Sequence, residues 1–315
     1  MNQRLILAAA AALLITGCGH SRQPVGGRKT IGLSVLTMTN PFFKEIADSL
    51  GAEGRKAGYD VDIQSGELDV ARQQNQVKDF IVKGVAAIVL TPCDSKSIGP
   101  VIVEANRAGI PVFTADIACL APEARVVCHV ATDNKQGGRQ AAEALVEAIG
   151  GRGKVAILDH PEVESSQLRT AGFLERLAEL NRGGAAVEVV TRLRGDGDRG
   201  KSFKVTQDIL QAHPAIAGIF AVNDPTALGS RGALEAAGKA GAVKIVGFDG
   251  QLEAKRAIRE GKIHADPIQF PDKIGIETMR TIIRHFAGEK VPARILIPTS
   301  LYRKADAEAD PALRA

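Results

Sequence analysis

From residue 30 almost to its end, the chain alternates short apolar runs with longer amphipathic stretches. An apolar run predicts a strand over 31–38. The stretch 41–56, opened by Pro41 and closed before Gly58, predicts a helix. Strands follow over 60–64, 86–90, 111–115 and 126–131, with helices over 70–82 and 97–108 between them. Residues 86–90, AAIVL, are apolar without interruption, the pattern of a strand buried on both faces. The alternation restarts with a helix over 135–149. Strands over 154–158, 187–192, 216–222, 244–248 and 264–269 then alternate with helices over 165–180, 201–212, 226–237 and 252–260. A long helix over 271–286 and an extended stretch over 294–298 complete the pattern. Regular strand–helix alternation predicts parallel sheets, and the restart predicts two of them. The expected fold class is α/β, with two Rossmann-like doubly wound lobes.

In such sheets ligands sit beyond the carboxyl ends of the strands. The polar residues at the predicted strand ends are Asn40, Thr91, Asp116, Asn223, Asp249 and Gln269, and they come from both halves. Facing crests would bring them into one cleft, a common place for a ligand. The first crest is the most distinctive: Asn40 is followed by Pro41, Phe42 and Phe43. A side-chain amide beside two rings suits a small ligand with polar edges and apolar faces, such as a sugar. The same residues also read as a proline-initiated helix with its phenylalanines in the core.

At 315 residues, two domains are the better expectation. A net charge of +4 without a dense Lys/Arg tract gives a nucleic-acid role no electrostatic support. Residues 1–17 have the shape of a secretory signal: Arg4 is their only charge, and the apolar run over 5–15 is too short for an ordinary membrane span. They lead into Ile15-Thr16-Gly17-Cys18, which resembles the lipobox of bacterial lipoproteins. Cleavage before Cys18 and acylation of that residue would hold the protein to a membrane. Residues 18–28 then read as a short tether, and the expected location is the periplasm or cell envelope. Cys93, Cys119 and Cys128 remain. Cys119 and Cys128 flank a proline-containing turn and can pair across it, which sequence cannot establish. No paired CxxC spacing supports a metal, and no cofactor is expected. The six histidines share no spacing and read as structural or exposed.

With NPFF at 40–43, TPCDS at 91–95, ATDN at 131–134, RTAGF at 169–173, Asn223-Asp224, GFDG at 247–250 and QFPDKIG at 269–275, the chain resembles the periplasmic sugar-binding proteins of ABC importers, of the ribose-binding type. The resemblance covers roughly 30–304. It implies two lobes joined by three hinge crossovers, near Thr132, Gln269 and Pro298. The first lobe would hold 29–132 plus 270–298, and the second 133–269 plus 299–315. Asn40, Asp116, Arg169, Asn223, Asp249 and Gln269 fall on the family's sugar-binding positions, and Phe42 and Phe43 on its stacking positions. Carboxylates accept from adjacent hydroxyls, and an arginine fork donates to hydroxyl and ring oxygens. Three positions depart from the pattern. Thr91 replaces an asparagine, Ile117 replaces a second arginine, and Gly197 stands where a third phenylalanine closes over the sugar. These changes re-set specificity, so ribose itself is not assigned; the space suits a larger or less polar ligand unless another aromatic refills it.

The expected function is therefore capture of a monosaccharide or related polyol by cleft closure, as a monomer that delivers it to an ABC permease. A sugar or autoinducer receptor signalling to a sensor kinase or chemoreceptor is the alternative. Asp116 with Asp249 also reads as a glycosidase pair. Both lie on family positions that hold sugar hydroxyls, and nothing in the sequence marks a raised carboxyl pKa, so no enzyme is expected.

Overall fold

The computed structural model describes residues 29–314; the expected signal peptide, Cys18 and the tether lie outside the described residues. The strands are β1 (Lys29–Val35), β2 (Tyr59–Ser65), β3 (Ala87–Leu90), β4 (Val112–Ala115), β5 (His129–Thr132), β6 (Arg152–Asp159), β7 (Ala186–Arg194), β8 (Ile216–Ala221), β9 (Lys244–Val246), β10 (Ala265–Ile268), β11 (Arg294–Ile297) and β12 (Ser300–Arg303). The helices are α1 (Pro41–Lys56), α2 (Val70–Lys83), α3 (Gly99–Arg107), α4 (Asn134–Ala148), α5 (Glu164–Arg182), α6 (Arg199–Ala212), α7 (Asp224–Ala236), α8 (Leu252–Arg259), α9 (Pro271–Phe286) and α10 (Lys304–Ala309).

Two six-stranded sheets form, ordered β11-β5-β4-β3-β1-β2 and β12-β10-β9-β8-β6-β7. Every pairing is parallel except β12 with β10. Each sheet is thus the core of one lobe. The chain passes from the first sheet to the second after β5, returns through α9 to β11, and leaves again into β12. The last strand and α10 have no counterpart in the hydrophobic pattern: β12 is short and alternates only weakly, and it is defined by pairing with β10 rather than by its own sequence.

Local chemistry explains the elements. Asn40 caps α1 by accepting from the Phe42 N–H at 3.0 Å, and Pro41 opens the first turn without wasting a donor. α2 ends at Gly84 in the left-handed conformation. Along β3, Val89 packs into the cluster under α1 and α9, while Ile88 and Leu90 face α2 and α3. Burial on both faces is why this strand reads as an unbroken apolar run.

One packing contact bears directly on the site. α4 and α5 cross with almost no space between their backbones. A Cβ on Gly138 would lie 2.0 Å from the Arg169 carbonyl oxygen, and one on Gly172 would lie 2.2 Å from the Lys135 oxygen. Glycine at both positions lets α5 come close enough to aim Arg169 between the sheets. Cys93, Cys119 and Cys128 are free thiols, so Cys119 and Cys128 do not pair. Gly138→Ala should destabilise the fold by about 1–3 kcal/mol, the usual cost of overpacking a rigid contact. Urea denaturation measures this, and an unchanged midpoint would mean that the two helices can separate freely.

Candidate functional site

A cavity of about 660 Å³ lies between the two lobes. Asn40, Phe42, Phe43, Asp116, Ile117, Arg169, Gly197, Asn223, Asp249 and Gln269 all line it. Thr91, expected among them, does not. It is fully buried behind the wall, where its hydroxyl accepts from the Leu36 N–H at 2.6 Å. The structure gives Thr91 the task of holding the β1 crest rather than a ligand.

The first lobe contributes the Asn40 cap, the two phenylalanines and the end of β4. Phe42 and Phe43 sit edge to face, with centroids 5.3 Å apart, and both are largely buried. Asp116 follows β4 with φ of +62°, a conformation that costs a non-glycine residue energy and aims its carboxyl into the cleft. Its Oδ1 is buried without a hydrogen-bond partner.

The second lobe contributes a connected network centred on Arg169. Its Nε donates to Asn134 Oδ1 at 2.7 Å, and Nη1 donates to the Val222 oxygen at 2.7 Å and to Asp249 Oδ1 at 3.2 Å. The guanidinium carbon lies 3.8 Å from the centroid of the Phe248 ring. Gln269 Nε2 donates to the same Asp249 oxygen at 2.6 Å, while Gln269 Oε1 is buried and unpartnered. Asn223 caps α7 through Oδ1, accepting from the Thr226 N–H at 3.0 Å. Its Nδ2 points to Gly197, where a Cβ would approach within 2.8 Å. Gly197, at φ of +65°, therefore both supplies a turn and leaves room for that amide.

The cavity is electrostatically unusual. Burial, with help from Asp249 and Glu164 and against the pull of Arg169, pushes the Asp116 carboxyl up to about 7. Burial raises Asp249 as well, again opposed by Arg169. The sequence carries no mark of these raised carboxyls, because they arise from enclosure by the second lobe. Beneath the cavity, Asp224 and Asp266 are fully buried neighbours, and Asp224 Oδ1 and Asp266 Oδ2 each lack a donor unless a proton is shared between the two carboxyls. Burial raises both; Asp266 raises Asp224 further, whereas Asp224 acts to lower Asp266, which burial still pushes up to about 7. The cap of α7 is Asn223, and Asp224 accepts from the Gln251 N–H at 2.6 Å.

Gln251 and His160 were not anticipated. Gln251 lies just past the GFDG motif, and its Nε2 donates to Asn40 Oδ1 at 2.7 Å and contacts Asp249 Oδ2 at 3.4 Å. It clasps the two lobes directly across the cleft. A second interlobe contact joins the TPCDS segment to the start of α5. The Ser95 N–H donates to the Glu162 oxygen at 3.0 Å, and the Glu164 N–H donates to Ser95 Oγ at 2.9 Å. His160, one of the scattered histidines read as structural, borders the cavity beside Gly197. Its ligand-capable atoms lie near those of Glu162 and Asp196. Arg194 pairs with both carboxylates, at 2.6 and 3.1 Å, and Lys201 also pairs with Asp196, so this cluster is already neutralised by cations.

Two outcomes follow from this geometry. Carboxyls raised in the folded state stabilise it fully below their unfolded value near 4. That stability is lost as pH rises through their folded values. Asp266→Asn keeps a donor toward Asp224 and an acceptor for the Gly247 N–H, so its melting temperature should fall less between pH 5 and pH 8 than that of the wild type. Parallel melting profiles would exclude a shared proton at Asp224 and Asp266. Gln251→Ala should also enlarge the radius of gyration of the ligand-free protein in small-angle scattering. An unchanged radius would mean that the other interlobe contacts, those of Ser95, Val163 and Glu164, are enough to keep the lobes together.

Comparison with known proteins agrees with the geometry. The periplasmic binding protein domain family matches residues 31–290. The chain is 33% identical to the ribose import binding protein of Escherichia coli (strain K12) over 305 residues, covering 96% of this chain and 99% of the relative. It is 35% identical to the ribose import binding protein of Bacillus subtilis (strain 168), covering 86% of each. A solute-binding protein of an ABC transporter from Actinobacillus succinogenes, solved with bound D-allose, superposes with a TM-score of 0.81 at 29% identity, over 90% of this chain and 100% of that one. These relatives are substrate-binding proteins and not enzymes, which removes the glycosidase reading. The chain belongs to the periplasmic binding protein family, among the sugar-binding proteins of ABC importers.

Proposed function

We propose that this chain captures a monosaccharide or related polyol, ribose-like in its array of hydroxyls, and delivers it to an ABC-type permease. The observation that carries this reading is the pair of unpartnered acceptors in the cleft, Asp116 Oδ1 and Gln269 Oε1. Buried polar atoms are costly unless paired. Two acceptors on opposite walls call for a ligand with several hydroxyl donors. Arg169 lines the same space and makes its bonds to the protein through Nε and Nη1, which leaves Nη2 to meet a ligand oxygen. The flat faces of Phe42 and Phe43 suit the C–H side of a sugar ring.

Capture proceeds by closure. The ligand binds one crest, and rotation about the three crossovers near residues 132, 269 and 298 brings in the other. Its preference for the closed state supplies the shift in population. The closed shape is what the permease recognises. Acylation at Cys18 would keep the receptor at the membrane beside its permease, as the ITGC motif suggests.

A thermal-shift screen of pentoses, hexoses and polyols tests the reading. A ligand specific to the folded state adds about 2.7 kcal/mol at a hundredfold excess over its Kd, which gives a clear rise in melting temperature. Asp249→Asn should then weaken the sugar found by about 2–5 kcal/mol in titration calorimetry, because it disturbs a buried charged pair at the ligand. Circular dichroism should be unchanged. Wild-type affinity in that variant would remove Asp249 from the site, and a flat screen in ligand-stripped protein would remove the sugar reading.

A further inference from the structure

We propose that Ser95 is a positioning residue for capture. It completes the start of α5 from the opposite lobe, so that the meeting of the lobes and the presentation of Arg169 to the sugar are one event. The inference rests on the sugar-capture reading and adds to it a residue that lines no part of the cavity.

The first observation is a helix that does not cap itself. α5 carries Arg169 on its second turn. The first N–H groups of any helix have no intrahelical partner. α4 and α7 answer with the side chains of Asp133 and Asn223. On α5 the same place is held by Val163, which has the extended backbone of a cap and no acceptor on its side chain.

The second is what Val163 does instead. It is buried in the apolar cluster of the first lobe, a cluster that also holds Leu36, Phe42, Phe43 and Ile117. The position that would cap the helix is given to packing between the lobes, and the capping task passes elsewhere.

The third is the source of the missing acceptor. Ser95 lies 69 positions before Glu164, in the other lobe, and is fully buried. Its Oγ accepts from the Glu164 N–H at 2.9 Å, and its own N–H donates to the Glu162 oxygen at 3.0 Å. The two bonds bracket Val163. Ser95 is itself held on a tight turn: its carbonyl accepts from the Leu120 N–H at 2.6 Å, and Asp94 Oδ1 beside it accepts from the N–H groups of Lys96 and Ser97 at 2.8 and 2.7 Å. Arg294, at the head of β11 in the first sheet, faces the Glu164 carboxylate at 3.7 Å.

Separation of the lobes breaks these contacts together. The Glu164 N–H and the Ser95 hydroxyl turn to water, and Val163 leaves its cluster. Closure restores them on the helix that bears Arg169. Contacts made only after the sugar has entered act on its release more than on its capture.

Stopped-flow kinetics on ligand-stripped full-length protein, with D-ribose and D-allose as probes, test the proposal. Ser95→Ala should raise the dissociation rate of the sugar that binds by about threefold to thirtyfold, the worth of a helix cap, and change the association rate by less than about twofold. Should that variant not fold, Ser95→Cys takes its place, with nearly the same shape and only a weak acceptor. A Val163→Thr background gives α5 a hydroxyl of its own at almost constant shape, and there the effect of Ser95→Ala should fall by about half or more. Unchanged dissociation overturns the proposal and leaves sugar capture standing. An equal rise in both backgrounds overturns the role at the helix start. A wild type that binds neither sugar counts against the capture reading, and hydrogen exchange in the ligand-free protein then decides the role of Ser95. Ser95→Ala should speed exchange in peptides spanning 162–168 and leave α7 unchanged, whereas unaltered exchange over 162–168 overturns the proposal.

Discussion

The site depends on keeping a guanidinium charged in an enclosure that water barely reaches. Arg169 is 5% exposed and lies against the face of Phe248. A lone buried cation would be prohibitively costly, and Asp249 alone would repay only part of that cost. The structure divides the task among a carboxylate, the Asn134 amide and the Val222 carbonyl, each taking one N–H in the plane of the guanidinium. Each of these partners is itself fixed. Asp249 is held by Gln269, Asn134 by its position at the first turn of α4, and Val222 by the end of β8. Loss of Asp249 would leave the charge unpaired, and loss of either neutral acceptor would leave a buried N–H unpaired, so the second lobe is organised around this arginine as much as around its apolar core.

Much of this was legible in the sequence because the fold is repetitive and the site lies at its crests. AAIVL reads as a doubly buried strand because both faces are in fact covered, and NPFF reads as a helix start because an amide and a proline are what a helix N-terminus needs. Arg169 was different. A helical arginine normally reaches solvent, and only the resemblance of RTAGF to a family motif placed it at the site; its direction depends on Gly138 and Gly172, whose spacing to each other is a tertiary fact. Thr91 misled because a polar residue at a strand end can serve the backbone as easily as a ligand. Gln251 was overlooked because its partners are remote: Asn40 lies 211 positions away. His160 carried no local signal, since its place beside the cavity depends on the turn at Gly197, far along the chain.

The cleft is also a balance between attraction and repulsion. Asp116, Asp249, Asp224 and Asp266 crowd acidic groups around a single guanidinium. The clasp at Gln251 connects the two layers of this arrangement, with its backbone held by the lower carboxyl pair and its amide reaching the upper site and the opposite lobe. Protonation beneath the cavity and lobe contact across it are therefore joined through one residue.

The path of the chain between the sheets has a consequence for how the molecule is made. α9 and β11 complete the first sheet and cover α1, yet they are specified only after residue 270. A growing polypeptide thus holds an unfinished first lobe, its apolar face open, until nearly the whole sequence has emerged. The second sheet by then lacks only its edge strand β12, so the two lobes differ in how much of the chain each must wait for. Completion of the first lobe waits on residues 270–297.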